Sequence, residues 1–188
     1  MKLNINELDN FYTHSLIFTK EECNDIIQYI TDLQDTVYTV RIDGKFIEDG
    51  CSLKSQDLIY DKEQVGWVFD RVIDFINQKV KLNWISNPHA IFRNYTNGSY
   101  FVKHKDNVDA SKADKRYLTI SIQLSESNNY EGGDVIINDT EYLPREIGSV
   151  FIWGTNVPHE VTPITSGERN SLIFFVSEKH IEPIKTLF

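Results

Sequence analysis

A histidine and an aspartate lie two positions apart in the segment SYFVKHKDN, residues 99–107. If this segment ends a strand, His104 and Asp106 point to the same face, because side chains alternate along a strand. An imidazole nitrogen and a carboxylate oxygen on one face can reach one cation, although two ligands are too few to hold it. The alternative interpretation is a polar stretch of surface loop.

A third ligand must come from another of the five histidines. His14 and His180 have no partner residues around them and are read as surface histidines, and His89 is read as a structural residue that opens a strand. His159 lies just past a predicted strand and before a Pro/Gly turn, a rim position from which it can lean inward. With the His-x-Asp pair it makes a two-histidine, one-carboxylate set, which leaves open positions on Fe(II).

Arg169 lies ten residues after His159. Arg169 and Ser171 are i and i+2 on a predicted strand, so they share a face. A guanidinium fork beside a hydroxyl is a good receptor for a carboxylate. The alternative for Arg169 is an ordinary surface ion pair.

Short strand-like runs separated by turn signals make up the second half of the chain. The predicted strands span 89–95, 99–104, 116–124, 134–138, 148–153 and 169–176. Six strands without intervening helices indicate an antiparallel sandwich or barrel.

The first half is expected to be partly helical. Thr19 and Glu22 form a capping box ahead of an apolar pattern that predicts a helix over 20–34. A strand is predicted over 36–42 and a second helix over 62–79. We therefore expect an α+β, mainly β fold in one domain, 1–188, with N-terminal helical support over about 1–85 and a β core over about 86–178.

Composition and charge narrow the function classes. The 188-residue chain has a net charge of -9, so nucleic acid is a disfavoured partner. No run of about 18 apolar residues predicts a membrane span, and the N-terminus lacks a secretory pattern, so a cytoplasmic location is expected. Cys23 and Cys51 are expected to be free thiols.

The strand RYLTISIQL carries apolar residues on one face and Thr119, Ser121 and Gln123 on the other. A solvated polar face is the plainer interpretation. The alternative is that this face lines a wet pocket inside a barrel.

These motifs, in their order along the chain, resemble the Fe(II)/2-oxoglutarate-dependent dioxygenases, and most closely the prolyl 4-hydroxylase-type branch. The resemblance covers about residues 89–176. It rests on the following positions: Tyr95-x-x-Gly98, His104-x-Asp106, Arg116-x-x-Thr119, Gly132-Gly133, Gly148, His159 and Gly167-x-Arg169-x-Ser171. The segment SLIFTKEECNDII also looks like the leading strand and helix of that branch.

The resemblance implies a double-stranded β-helix, or jelly roll, braced by helices. It implies Fe(II) on His104, Asp106 and His159, with 2-oxoglutarate as co-substrate, dioxygen as oxidant and ascorbate as a candidate reductant. The far carboxylate of 2-oxoglutarate would meet Arg169, helped by Ser171.

The roles of other residues follow from the same resemblance. Tyr95 matches a tyrosine that contacts the co-substrate, its alternative role being that of a core aromatic residue. The inward face of the strand with Thr119 would lie beside the co-substrate. A second family tyrosine is matched by Gln123, and Phe101 occupies the family's aromatic slot before His104. The carboxylate of Asp106 favours hydroxylation, because related halogenases have a small residue there.

The implied activity is hydroxylation of an unactivated C–H bond, with a prolyl residue of a peptide or protein as the first candidate. A free amino acid or another small molecule is the alternative, followed by a non-enzymatic jelly-roll binding module. The loop 107–116 is either a lid over the substrate or an ordinary solvated loop. The sequence specifies neither the substrate nor the oligomeric state.

Overall fold

The computed structural model describes residues 7–32, 40–42, 51–52, 54–59, 65–80, 85–106 and 116–177. In these residues two helices brace a body of antiparallel strands, so the expected mainly β fold class is confirmed. Neither helix in this part of the chain has the length and apolar character that crossing a membrane requires.

Helix α1 (Lys20–Asp32) begins at the predicted capping box. The Thr19 amide donates to Glu22 Oε2 at 2.9 Å, and the Glu22 amide donates to Thr19 Oγ1 at 3.2 Å. These two bonds satisfy backbone donors that the first turn leaves without a partner. Glu22 also accepts a hydrogen bond from Arg71 of α2 (Gly66–Lys79) at 2.7 Å, which ties the two helices together.

The strands form two larger sheets and one small ribbon. The seven-stranded sheet contains, in spatial order, β1 (Tyr12–Leu16), β11 (Ser149–Gly154), β7 (Arg116–Gln123), β14 (Arg169–Ser177), β5 (Ile85–Tyr95), β4 (Lys54–Ile59) and β2 (Val40–Ile42). The five-stranded sheet contains β10 (Glu141–Tyr142), β9 (Val135–Ile137), β12 (His159–Val161), β6 (Tyr100–His104) and β3 (Cys51–Ser52). The ribbon pairs β13 (Ile164–Gly167) with β8 (Tyr130–Gly132).

The helices cover the outer face of the seven-stranded sheet. Their apolar stripes pack on alternate residues of the central strands and form the larger hydrophobic core. Representative members are Ile26, Ile30, Val68, Val72, Leu118, Ile120, Ile122 and Phe174. Cys23 lies in this core as a free thiol, and burial raises its pKa to about 12. The side chain of Cys51 lies outside the described residues.

A second hydrophobic core fills the space between the two sheets. Tyr95 and Trp153 reach into it from the seven-stranded sheet, and Val135, Ile137 and Val161 reach into it from the five-stranded sheet. The turn at Gly98 carries the chain from β5 in one sheet to β6 in the other. Its φ of +81° is a left-handed conformation that glycine adopts without strain. Residues before and after this turn therefore face each other across the interior.

All six strands predicted in the second half are present, with ends shifted by up to four residues. The short strands β8, β10, β12 and β13 were missed, because runs of two to four residues carry little periodicity. Helix α2 begins at Gly66 rather than near residue 62. Residues 33–34, 36–39 and 62–64 of the predicted elements lie outside the described residues.

Candidate metal and carboxylate site

His104 and His159 lie opposite each other on paired strands. His104 ends β6 and His159 begins β12, and the two residues are direct partners in the antiparallel register. Their ring centroids are 4.2 Å apart. The side chain of His159 is buried inside the protein.

Asp106 completes the group, although not by strand alternation. Strand β6 ends at His104, so Asp106 lies beyond it, and its backbone amide donates to Thr155 O at 3.0 Å. Its carboxylate lies 3.5 Å from His104 Nε2 and 3.3 Å from His159 Nε2. One ligand atom from each of the three residues falls within 4.8 Å of the others. The three donors could thus hold one metal ion.

Backbone carbonyls orient both imidazoles. His104 Nδ1 donates to Val102 O at 2.8 Å, and His159 Nδ1 donates to Val157 O at 3.0 Å. A carbonyl only accepts, so the proton of each neutral ring is on Nδ1 and the lone pair is on Nε2. Both Nε2 atoms point toward Asp106. In metal-binding histidines one ring nitrogen likewise donates to a carbonyl while the other offers its lone pair to the metal.

The charges of the group suit a divalent cation. Burial raises the pKa of the Asp106 carboxyl. In the acid range, where the imidazoles carry a second proton, the hydrogen bond of His104, the charge of His159 and the hydroxyl of Thr119 outweigh burial and hold that pKa at about 2. Burial lowers the pKa of His159 below its ordinary value, an effect that Asp106 opposes. Two imidazoles and one carboxylate can together bind Fe(II) and leave open coordination positions on the metal.

Three further side chains fix these donors. Thr119 Oγ1 donates to Asp106 Oδ2 at 2.7 Å, so this hydroxyl, expected beside a co-substrate, contacts the carboxylate. Phe101 stacks on His104 with ring centroids 4.0 Å apart, in the aromatic slot noted in the sequence. The Trp153 ring lies 4.8 Å from that of His159. Sequence reasoning missed Trp153, which reads as an ordinary core residue in its strand.

Arg169 is a buried cation in the same interior. Its side chain is 2% exposed, its Nε donates to Gln123 Oε1 at 3.0 Å, and its guanidinium carbon lies 5.3 Å from the centre of the Tyr95 ring. Among the described residues no carboxylate forms an ion pair with it. Because a buried charge is costly without a counter-charge, Arg169 is a ready receptor for an anion.

Ser171 shares the inward face of β14 with Arg169, as the i, i+2 spacing predicts. Its hydroxyl is buried and finds no hydrogen-bond partner among the described residues. An orphaned hydroxyl beside an arginine without a counter-ion fits a bound carboxylate.

The polar face of β7 lies inside the protein rather than in solvent. Thr119, Ser121 and Gln123 are each no more than 2% exposed. Of the two interpretations of this strand, the structure therefore has the one in which its polar face lies in the interior, where Thr119 and Ser121 line a pocket.

A cavity of about 520 Å³, including space open to solvent, connects these features. The seven-stranded sheet contributes Tyr95, Thr119, Ser121, Trp153, Arg169 and Ser171, and the five-stranded sheet contributes Phe101, His104, Val135, His159 and Val161, while Asp106 follows β6. The possible metal donors and the buried arginine thus open onto one space.

The remaining candidates lie elsewhere. His14 is exposed on β1, as expected. Outside the described residues lie the side chains of His89 and His180 and the loop 107–115. Of the segment 107–116, for which a lid was one hypothesis, only Arg116, the first residue of β7, is described.

The sequence of this chain is similar to those of known proteins. Residues 90–177 match the sequence model of the 2OG-Fe(II) oxygenase superfamily. The chain is similar to a PKHD-type hydroxylase of Shewanella oneidensis, with 36% identity over 92 residues, which is 46% of this chain and 41% of that protein. The chain thus spans about two fifths of the length of this curated relative. The match confirms the resemblance found in the sequence.

Solved structures share the fold. A prolyl-4-hydroxylase of Pseudomonas putida superposes with a TM-score of 0.70 at 17% identity, covering 93% of this chain and 97% of that one. A prolyl hydroxylase of Trichoplax adhaerens, in complex with a peptide fragment of the hypoxia inducible factor oxygen degradation domain, gives 0.69 at 15% identity, covering 93% and 87%. The expected double-stranded β-helix is confirmed.

Proposed function

We propose that this chain, whose residues 90–177 match the sequence model of the 2OG-Fe(II) oxygenase superfamily, is such an oxygenase and hydroxylates an aliphatic C–H bond with Fe(II), 2-oxoglutarate and dioxygen. The substrate R–H, 2-oxoglutarate and O2 would give R–OH, succinate and CO2. The observation that carries the proposal is that one cavity holds both the His104, Asp106 and His159 donors and the buried charge of Arg169, which has no ion-pair partner among the described residues.

His104 Nε2, Asp106 and His159 Nε2 would hold the iron, since their lone pairs already face one another. When bound, Fe(II) supplies the activation of dioxygen that the reaction requires. Ascorbate would serve as a reductant that keeps the metal in the ferrous state.

Arg169 and Ser171 would bind the far carboxylate of 2-oxoglutarate. The guanidinium provides the counter-charge, and the orphaned Ser171 hydroxyl provides a further hydrogen bond. Tyr95, whose ring faces the guanidinium, would confine this end of the co-substrate. The second core between the sheets surrounds these groups with apolar side chains, and such a setting strengthens polar contacts.

A prolyl residue of a peptide or protein is our first candidate substrate. The Pseudomonas putida and Trichoplax adhaerens neighbours are prolyl hydroxylases by name, and the latter is a peptide complex. Past Ser171, the cavity wall continues along β14 to Ile173 and Phe175, an apolar surface that suits an aliphatic ring. The alternative remains a free amino acid or another small molecule with an aliphatic carbon.

Succinate release from 2-oxoglutarate in the presence of Fe(II) and ascorbate tests the enzyme class. We expect slow turnover without substrate, its loss in His159→Ala, and its retention in the matched control His14→Ala, which alters an exposed histidine on β1. A chain that binds no iron and releases no succinate would favour the binding-module alternative.

A peptide panel, with proline-free versions and free amino acids as controls, would then identify the substrate class by stimulated succinate release and by a mass gain of one oxygen atom. Stimulation by free amino acids alone would overturn the peptide assignment and keep the reaction. The cytoplasmic location stays a prediction, which cell fractionation would test.

A further inference from the structure

Gln123 lies inside the protein, beside the buried arginine. It is the last residue of β7 and is 1% exposed, on the inward face that also carries Thr119 and Ser121. Within the family resemblance this position is a departure, because the matching residue there is a tyrosine. The structure indicates what the glutamine does in its place.

The side-chain amide of Gln123 is fully engaged. Its Nε2 donates to Ser125 O at 2.8 Å and to Tyr130 Oη at 3.1 Å. Because a backbone carbonyl can only accept, the nitrogen must be the atom on that side. The oxygen is therefore turned toward Arg169, whose Nε donates to it at 3.0 Å. With both amide protons committed, Gln123 has none left to donate to a bound carboxylate.

Tyr130, which accepts one of these bonds, is itself held in place. It is buried in the core between the sheets, and the Arg145 guanidinium lies 4.1 Å from the centre of its ring. Arg145 Nη2 also donates to Tyr130 O at 2.6 Å. Gln123 is thus tied to a fixed part of the structure and cannot rotate freely.

The acceptor that meets Arg169 Nε is neutral, and this has a chemical consequence. A carboxylate in the same place would pair with the guanidinium and cancel its charge, whereas an amide oxygen satisfies one N–H and leaves the charge available. The bond also fixes the rotation of the guanidinium, so the two Nη groups have a defined direction. Binding an anion then requires less ordering of the side chain.

We propose that Gln123 is a positioning residue, which holds Arg169 by its Nε so that the guanidinium, which no carboxylate of the described residues neutralises, and the Ser171 hydroxyl receive the far carboxylate of 2-oxoglutarate. This inference rests on the proposed function, since it concerns the same co-substrate. It assigns Gln123 an action through Arg169 and no contact with 2-oxoglutarate.

Binding of 2-oxoglutarate to Mn(II)-loaded protein under anaerobic conditions, measured by titration calorimetry, tests this role without turnover. Gln123→Met keeps the approximate volume and removes the acceptor. We expect it to weaken binding about tenfold or more, the loss of one hydrogen bond to a charged group. Gln123→Glu keeps the shape and introduces a competing carboxylate, so we expect at least as large a loss. In Fe(II) assays the KM for 2-oxoglutarate should rise more than kcat falls.

Two further comparisons separate positioning from general damage to the core. Tyr130→Phe removes the hydroxyl that accepts a hydrogen bond from the Gln123 amide and does not itself remove a group of the Gln123–Arg169 contact. We expect a smaller loss of 2-oxoglutarate affinity than in Gln123→Met. In an Arg169→Ala background, Gln123→Met should weaken binding no further, because its effect is transmitted through Arg169. Unfolding temperatures of all variants show whether each one is folded.

The outcomes are distinguishable. If the Mn(II)-loaded wild type binds no 2-oxoglutarate, the proposed function fails, and the role of Gln123 fails with it. If the wild type binds and folded Gln123→Met and Gln123→Glu bind equally well, the proposed function stands and the positioning role is overturned. Additive losses in the Arg169→Ala background would also overturn it.

Discussion

His104 and His159 are direct cross-strand partners on β6 and β12, with ring centroids 4.2 Å apart. Backbone hydrogen bonds of the sheet therefore set the distance between them, and two carbonyls set the rotation of their rings. The register and the two carbonyl hydrogen bonds thus hold the donors in place, which reduces the free energy needed to order them around a metal ion.

A divalent metal ion should raise the unfolding temperature. Mn(II) at about one hundred times its dissociation constant would stabilise the folded state by about 2.7 kcal/mol, because the ion binds the arranged donors and not the unfolded chain. Thermal unfolding with Mn(II), and then with an excess of EDTA, measures this effect. The shift should be absent in His159→Ala and unchanged in His14→Ala; an equal shift in both would place the ion elsewhere.

Thr119 should matter for metal affinity, although it supplies no ligand. Thr119→Val removes the hydroxyl that donates to Asp106 Oδ2 at 2.7 Å while keeping the shape of the side chain. Loss of such a supporting contact typically weakens metal binding by about 10- to 100-fold. Mn(II) titration of the variant measures the change. Thr119→Ser keeps the hydroxyl and should bind nearly as the wild type does, so similar losses in both variants would contradict this role.

Metal affinity should fall on acidification, because protons and the metal ion compete for His159. The pKa of His159 lies below its ordinary value, so the ring is neutral at pH 7 and its Nε2 lone pair is available. As the pH falls below about 6.5, protons begin to compete with the metal for His159 Nε2. The Asp106 carboxyl, with a pKa of about 2, stays ionised throughout.

The same shift predicts how metal-free protein responds to pH. The unfolded chain takes up a proton on this histidine at a higher pH than the folded chain does, so stability is present above about pH 6.5 and declines below it. Mn(II) titrations and urea unfolding between about pH 5 and 8 measure both trends. Affinity that stays constant down to about pH 4 would exclude histidine protonation as the cause.

The capping box should contribute measurably to stability. Thr19→Ala removes the acceptor of the Glu22 amide at 3.2 Å and should lower the free energy of unfolding by about 1 kcal/mol. In urea the midpoint should fall while the slope stays constant, because the folded surface does not change. Thr19→Ser keeps the acceptor and serves as the control. A change in slope would indicate that α1 has lost its packing as well as its cap.

Features that depend on near neighbours in the chain could be predicted from the amino-acid sequence. Thr19 and Glu22 are three residues apart and cap α1 as expected. The alternation of polar and apolar residues along β7 could be predicted, because strand side chains have a period of two. The spacing of Arg169 and Ser171 was readable for the same reason. The order of His104, Asp106 and His159 indicated the family, and the family implied the fold.

Contacts between residues distant in the chain became clear from the three-dimensional fold. Sequence periodicity does not say whether the polar face of β7 looks outward or inward, and the covering second sheet makes it an interior surface. Asp106 lies past the end of its strand, so its position depends on Thr155 and Thr119 rather than on alternation. Gln123 meets Arg169 because β7 and β14 are adjacent, although 46 residues separate the two along the chain. Such contacts follow from sheet order and register, which local sequence preferences do not encode.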